Sequence, residues 1–168
     1  MIANHFGIIH LSTGKLFRTA MEQETELGKL VASFMDEGQL VPDQTVVDIV
    51  EETISDESFE RGYIIDGFPR TIEQAVAFDD LLVRRNESID AFISLYVPDE
   101  ELINRILQRN EGRKDDTREK VKVRLDVYNR ETAPVLEHYQ HSRIFRSVDG
   151  TGTVDEIFQR ILTALPKY

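Results

Sequence analysis

The stretch Tyr63-Ile64-Ile65-Asp66-Gly67-Phe68-Pro69-Arg70-Thr71-Ile72-Glu73-Gln74 decides how the chain is read. An aromatic and aliphatic run ends in an acid, a glycine and a proline force a turn, and helical periodicity begins behind Thr71. The pattern predicts a strand over 63–66 whose carboxyl end presents Asp66, Arg70 and Gln74. Open parallel sheets place their ligands at such ends.

Working outward, three further apolar runs read as strands: Ile8 to Leu11, Phe92 to Val97 and Ile144 to Val148. They are apolar nearly throughout, as strands covered on both faces are, and each is followed by a helical pattern. Strand alternating with helix predicts an α/β fold, a parallel sheet wrapped by helices with right-handed crossovers. Ser12 or Thr13 is expected to cap a helix to about Gln23, Thr25 to precede one over Glu26 to Glu37 closed by Gly38, and Pro42 to sit in the first turn of a third. Thr71 with Gln74 reads as a capping box. Pro98-Asp99 opens a helix to about Arg109, a long helix from Asp115 is expected to break or bend at Pro134, and the last runs from Val154 to Leu165. Between the fifth and sixth of these, Arg109 to Asp116 is a charged connection that reads as a mobile loop.

The 168 residues fit one domain with a buried core, 40% apolar and 30% charged. With 31 acids against 20 bases and a net charge of -11, no general affinity for nucleic acid or anionic membrane is expected, so any anion site must be a local cluster of arginines. The absence of cysteine excludes disulfides, thiol catalysis and thiolate zinc. No run has the length of a membrane span and the start lacks the features of a signal peptide, so the expected address is the cytoplasm.

Six arginines could converge: Arg18, Arg70, Arg105, Arg109, Arg113 and Arg124. Transfer of a phosphoryl group to an acceptor that is itself an anion needs no strong base. It needs positioning and charge neutralisation, which guanidinium groups supply. Each residue also has an ordinary reading: the arginine pairs as solvated helix charges, Thr13 as a cap, Gln74 as half of a capping box, Asp66 as a turn acid.

The order of the motifs resembles the adenylate kinase family over almost the whole chain. His10-Leu11-Ser12-Thr13-Gly14 with Arg18, Gly38-Gln39-Leu40-Val41-Pro42-Asp43, and Asp66-Gly67-Phe68-Pro69-Arg70-Thr71 with Gln74 resemble the three parts of an AMP pocket. The resemblance implies that Thr13 and Gln74 face the adenine and that Arg18 and Arg70 hold the AMP phosphate. It also implies that the backbone at Gln39, Leu40, Val41 and Gly67, with Phe68 and Pro69, closes over the base. Arg105 and Arg109 are similar to the arginines that meet ATP, Arg113 and Arg124 to those that reach the transferred phosphate, and Gly152 to a loop whose main chain contacts the ATP base. Arg70, Arg109, Arg113 and Arg124 are thus the implied catalytic residues. Asp66 is the implied partner of magnesium-bound water, with Mg2+ entering together with ATP. The implied layout is a single domain over 1–168, with an AMP-binding lobe at 12–41 and a short lid at 109–116 that carries no zinc insert. The implied protein is a monomeric transferase of nucleotide biosynthesis, running ATP + AMP = 2 ADP. Thr13 and Thr71 favour AMP, since pyrimidine-directed relatives tend to carry alanine and asparagine there.

The resemblance breaks chiefly at one place. The family begins with a strand, a Gly-x-x-x-x-Gly-Lys phosphate loop and a helix. The only Gly-Lys pairs here, Gly14-Lys15 and Gly28-Lys29, have Ile9 and Gln23 five residues before the glycine. Met1 to Phe6 resembles the last turns of the helix that follows the loop. The first, central strand is therefore expected to be missing from between the strands at 63–66 and 92–97, leaving unpaired edges, low stability and crippled catalysis. Lys15 stands where the family has an acid near the magnesium, which implies weakened or rearranged metal positioning. The alternatives to an adenylate kinase are a kinase of the same fold acting on another nucleoside monophosphate, a non-catalytic AMP-binding remnant, and an unrelated α/β domain.

Overall fold

A computed structural model describes residues 1–108 and 117–166 of the chain. Two parallel strand pairs carry the architecture. β1 (Ile9–Ser12) pairs with β2 (Tyr63–Asp66), bringing Ser12 opposite Asp66. β3 (Phe92–Tyr96) pairs with β4 (Phe145–Asp149), bringing Tyr96 opposite Asp149. The β2 strand lies over the expected residues. The others differ by a residue from their expected ends, because pairing with the neighbouring strand rather than local hydropathy decides where a ladder stops.

No hydrogen-bonded ladder joins β2 to β3 among the described residues; the sheet is split into two two-stranded halves. The split falls between β2 and β3, the two strands that the family resemblance expects to flank a central one. Strands of a parallel sheet are normally covered on both faces, yet β2 and the start of β3 are only half-buried here. Leu95 and Tyr96 stand 49% and 67% exposed.

Helices fill the connections. α1 (Ile2–Phe6) ends at Gly7 in the left-handed region and buries none of its residues. α2 (Thr13–Glu22) follows β1 directly, and α3 (Glu26–Glu37) is fixed at both ends as its sequence dictates. The Thr25 hydroxyl accepts from Gly28 N–H, and Gly38 closes the helix with φ 73°. α4 (Asp43–Ile54) starts one residue later than expected, because Pro42, with φ -51° and extended ψ, is its N-cap rather than a member of its first turn. α5 (Ile72–Arg84) leads from β2 towards β3, which α6 (Asp99–Gln108) follows.

The C-terminal third corrects one expectation. The long helix does not bend at Pro134 itself. α7 (Arg118–Val127) widens into a π-helical turn over Tyr128–Thr132 and resumes as α8 (Ala133–Gln140). Pro134 lacks an N–H and its ring crowds the carbonyl four residues back, so the distortion falls in the turn before it. The expected start of this helix at Asp115 lies outside the described residues. α9 (Val154–Ala164) opens with a full capping box, Thr153 with Glu156. The box expected at Thr71 is only half formed. Thr71 Oγ1 accepts from Gln74 N–H at 3.1 Å, but the Gln74 side chain turns elsewhere.

Two apolar clusters follow the split. The larger packs Leu11, Phe17, Val31, Val41, Val50, Ile54, Phe68, Phe78 and Leu81 beneath β1 and β2. The smaller packs Ala75, Val135 and Tyr139 against Phe92 and Phe145 of β3 and β4. α5 contributes to both, so it carries the connection between the halves.

Candidate functional site

The loop after β2 builds the centre of the site. Gly67 has φ 80°, a conformation that L side chains avoid, and the next peptide bond but one, Phe68–Pro69, is cis. This path brings Arg70 back towards its own strand end, where Arg70 Nε donates to Gly67 O at 2.8 Å. The Arg70 main chain is pinned as well. Its N–H donates to Gln74 Oε1 at 2.8 Å, and its carbonyl accepts from Thr132 Oγ1 at 2.9 Å. Three separate contacts thus hold one arginine, one through its guanidinium and two through its main chain, with the π-helical turn supplying one of the latter. Fixed donors of this kind need no reorganisation when a charge arrives.

Arg124 and Arg18 converge on the same place. Burial lowers the pKa of the Arg70 guanidinium, the positive charge of Arg124 lowers it further and that of Arg18 adds to this, while Asp66 opposes them. Such a cluster of like charges is relieved by a bound anion. The backbone is thinned to let it form. A β-carbon on Gly14 would lie 3.3 Å from Arg18 Nη1, and one on Gly38 would lie 3.0 Å from Arg124 Cγ.

Gly67 is the tightest point. A β-carbon there would lie 2.9 Å from Arg70 Nη2 and 3.0 Å from Thr13 Oγ1. Gly67→Ala therefore combines about 1–2 kcal/mol of backbone strain with displacement of the arginine. A melting curve with a paired titration of AMP should show a modest fall in stability and a fall in affinity of about tenfold or more.

Thr13 and Gln74, the two residues expected to face a base, are buried at 4% and 2% exposure. Neither hydroxyl at the start of α2 caps it. Ser12 Oγ donates to Asp66 Oδ2 at 3.3 Å, and Thr13, inside the helix, donates to Gly67 O at 3.0 Å with Asp66 O at 3.3 Å. The hydroxyl of Thr13 is thus used to hold α2 against the loop. Gln74 Nε2 donates to Asp43 Oδ1 at 2.8 Å, and that same oxygen accepts from Thr71 Oγ1 at 2.9 Å. Sequence reading placed Asp43 in the 38–43 motif without a role of its own and did not mention Thr132, because long-range partners leave no local pattern. Val41 and Phe68 belong to the larger core, while Gln39 is exposed.

A second cluster lies at the ends of β3 and β4. Arg105 Nη1 donates to Gly150 O at 2.8 Å and Nη2 to Gly152 O at 3.3 Å, and the guanidinium also pairs with Glu101 one turn back. Arg105 thus has an i,i+4 partner, as the ordinary reading of a helix-surface charge has it, but its guanidinium is spent on the loop as well. Arg160 Nη1 donates to Asp149 O at 2.9 Å from the other side. Within the loop, hydrogen bonds from the Thr151 N–H and hydroxyl hold the Asp149 carboxyl below its usual range. Arg109 and Arg113, with the expected lid at 109–116, lie outside the described residues.

Asp66 is exposed at the end of β2, with His10 Nε2 at 3.8 Å from Oδ2. Among the described residues no group of three or more His, Asp or Glu side chains gathers to cage a metal ion. A lone exposed carboxylate fits a contact through metal-bound water rather than direct ligation. Lys15 lines with His10, Ser12, Thr19 and Gln23 an open hollow of about 460 Å³, to which no arginine among the described residues contributes. No helix among the described residues is long and apolar enough to cross a membrane.

The comparisons with known proteins agree on one family. The family model for adenylate kinase matches residues 1–144. An adenylate kinase of Phocaeicola vulgatus is 40% identical over 168 residues, covering 99% of this chain and 89% of that protein. One from Mycobacterium sp. (strain MCS) is 43% identical over 164 residues, covering 98% and 88%. One from Clostridium acetobutylicum is 38% identical over 194 residues, covering 98% and 90%.

Proposed function

The chain belongs to the adenylate kinase family, and from that premise we propose that its arginine cluster is the acceptor half of a phosphotransferase site that takes AMP. The enzyme class is nucleoside monophosphate kinase, and the reaction is ATP + AMP = 2 ADP. The observation that carries the acceptor assignment is the mutual approach of Arg70, Arg124 and Arg18 beside the fixed Gly67–Arg70 loop. A phosphate dianion matches the positive charge that Arg124 and Arg18 bring to the buried guanidinium of Arg70. Because that phosphate is already an anionic nucleophile, the chain's task is to hold it in line and neutralise charge, and no general base is required.

In this reading Arg70 and Arg18 bind the AMP phosphate, and Arg124, with Arg113 and Arg109, reaches the group in transfer. Thr13, Gln39, Leu40, Val41, Gly67, Phe68, Pro69 and Gln74 enclose the base. On the donor side, Arg105 and Gly152 meet ATP, and the double fastening of the 149–152 loop by Arg105 and Arg160 supports a fixed platform there. Magnesium, when bound with ATP, supplies charge neutralisation between phosphates; Asp66 would hold it through water. The protein works as a monomer in the cytoplasm, on small nucleotides and without nucleic acid or membrane.

Titration calorimetry with AMP, GMP, CMP and UMP tests the acceptor assignment. AMP should bind at least about tenfold more tightly than the others, since a base that mismatches buried polar groups leaves them unpaired. Equal or tighter binding of UMP or CMP would make the chain a kinase of another monophosphate. Absence of AMP binding would sink the acceptor site altogether.

A further inference from the structure

We propose that Asp43 is a positioning residue that fixes the orientation of the Gln74 carboxamide and so sets which nucleobase edge the site accepts. The proposal rests on the reading above that Gln74 meets the base. Asp43 is the first residue of α4, directly after the Val41-Pro42 segment, and its Oδ1 receives two hydrogen bonds from the start of α5. One comes from Gln74 Nε2 at 2.8 Å and the other from Thr71 Oγ1 at 2.9 Å. At the other end of the same carboxamide, Gln74 Oε1 accepts from the Arg70 N–H at 2.8 Å.

The chemistry of these two partners sets the orientation. A carboxylate can only accept and a backbone N–H can only donate, whereas a carboxamide has one end of each kind. Turning the amide over would set its carbonyl against the carboxylate of Asp43 and its NH2 against the N–H of Arg70. Both contacts would be repulsive, at a side chain only 2% exposed where water cannot substitute. Each end still keeps one valence, a hydrogen on Nε2 and a lone pair on Oε1. That ordered pair complements the N1 acceptor and N6 amino group of adenine. Hypoxanthine presents the reverse, an N1–H and an O6 carbonyl, which only the overturned amide could match. Asp43, acting with the Arg70 N–H at the other end, thereby turns an amide able to read either edge into one that reads adenine. It also joins that reading to the 39–42 backbone and, through Thr71, to the start of α5.

The test is calorimetric titration of AMP and inosine monophosphate into the 168-residue chain and its variants. The unmodified chain should prefer AMP by at least about tenfold. Asp43→Ala should reduce that ratio about fivefold or more, and Asp43→Asn, whose amide can donate as well as accept and so no longer dictates the orientation of Gln74, should reduce it too. Gln74→Ala should bring the ratio near unity, and adding Asp43→Ala to it should change the ratio no further. If Asp43→Ala does not fold, Asp43→Ser serves, because its hydroxyl can donate as well as accept and so no longer dictates the amide; the ratio should fall likewise. A merely structural role would weaken both nucleotides in parallel with the melting temperature and leave the ratio intact, which overturns the proposal. If Gln74→Ala collapses the ratio while Asp43→Ala does not, the role of Asp43 fails and that of Gln74 stands. A ratio unmoved by Gln74→Ala, or an unmodified chain that does not bind AMP, overturns the underlying reading and the proposal with it.

Discussion

Arg70→Met is expected to leave the chain folded while weakening its affinity for AMP by about a hundredfold. Hydrogen bonds between a guanidinium and a phosphate are charge-assisted and often bidentate, contributing about 1.5–3 kcal/mol each. Arg70 is fixed at three points, with its Nε on Gly67 O and its main chain held by Gln74 and Thr132. Little entropy is therefore lost when a phosphate docks, and most of the interaction appears as affinity. Stability should respond the other way. Removing the charge relieves its burial and its repulsion by Arg124 and Arg18, which offsets the loss of one hydrogen bond to Gly67 O. Calorimetry with AMP and a melting curve by circular dichroism separate the two. Arg70→Lys keeps the charge but not the fork and should recover no more than about a tenth of the lost affinity. An AMP affinity within about threefold of the unmodified chain in Arg70→Met would remove this arginine from the site.

The elements that could be read in advance are those whose signals are local. Tyr63–Asp66 is bounded by Gly62 and Gly67, and Glu26–Glu37 lies between a hydroxyl cap at Thr25 and a left-handed glycine at Gly38; both lie where the residues put them. The split between β2 and β3 was also legible, but as an absence, through the missing Gly-x-x-x-x-Gly-Lys. What could not be read depends on distant partners. Thr13 looks like a cap in sequence, yet it spends its hydroxyl on a carbonyl more than fifty positions away, which only the pairing of β1 with β2 brings near. Gln74 looks like the return half of a capping box, but Asp43 and the Arg70 N–H offer its amide better-matched partners than the N–H of Thr71. Thr132 sits in a π-helical turn that no periodicity announces, and from there its hydroxyl donates to the Arg70 carbonyl.

The acidic surface and the arginine cluster have complementary consequences. With a net charge of -11, the molecule as a whole repels nucleotides, so binding must be decided at short range, where burial keeps salt from screening the guanidinium groups. This is why single residues in the 67–74 segment are expected to carry such large effects. It also explains why the fold devotes Thr13, Asp43, Thr71, Gln74 and Thr132 to holding that segment still.

A chain extended ahead of Met1 by an apolar strand, a Gly-x-x-x-x-Gly-Lys loop and helical turns continuous with α1 is expected to melt about 10 °C higher than the 168 residues alone. It should also form ADP from ATP and AMP at least about a thousandfold faster. The stability gain comes from the split sheet. A strand parallel to its neighbours would pair with the open edges of both β2 and β3 and cover Leu95 and Tyr96, which are exposed now. Ladder bonds contribute about 0.5–1.5 kcal/mol each and buried apolar surface about 25 cal/mol per Å². Against them stands about 1–2 kcal/mol for each residue that must be ordered. A net gain of about 3–4 kcal/mol corresponds to about 10 °C in a domain of this size. The catalytic gain has a separate origin, in the consecutive amides and lysine of a phosphate loop at a helix N-terminus. Losing even one preorganised donor to developing charge typically costs about a hundred- to a thousandfold in rate. Exchanging the loop lysine for methionine in the extended chain divides the two effects: the higher melting temperature should persist while turnover falls steeply. If the extended chain melts no higher than the shorter one, the gap between β2 and β3 is not a strand position, and the split sheet must be stable as it stands.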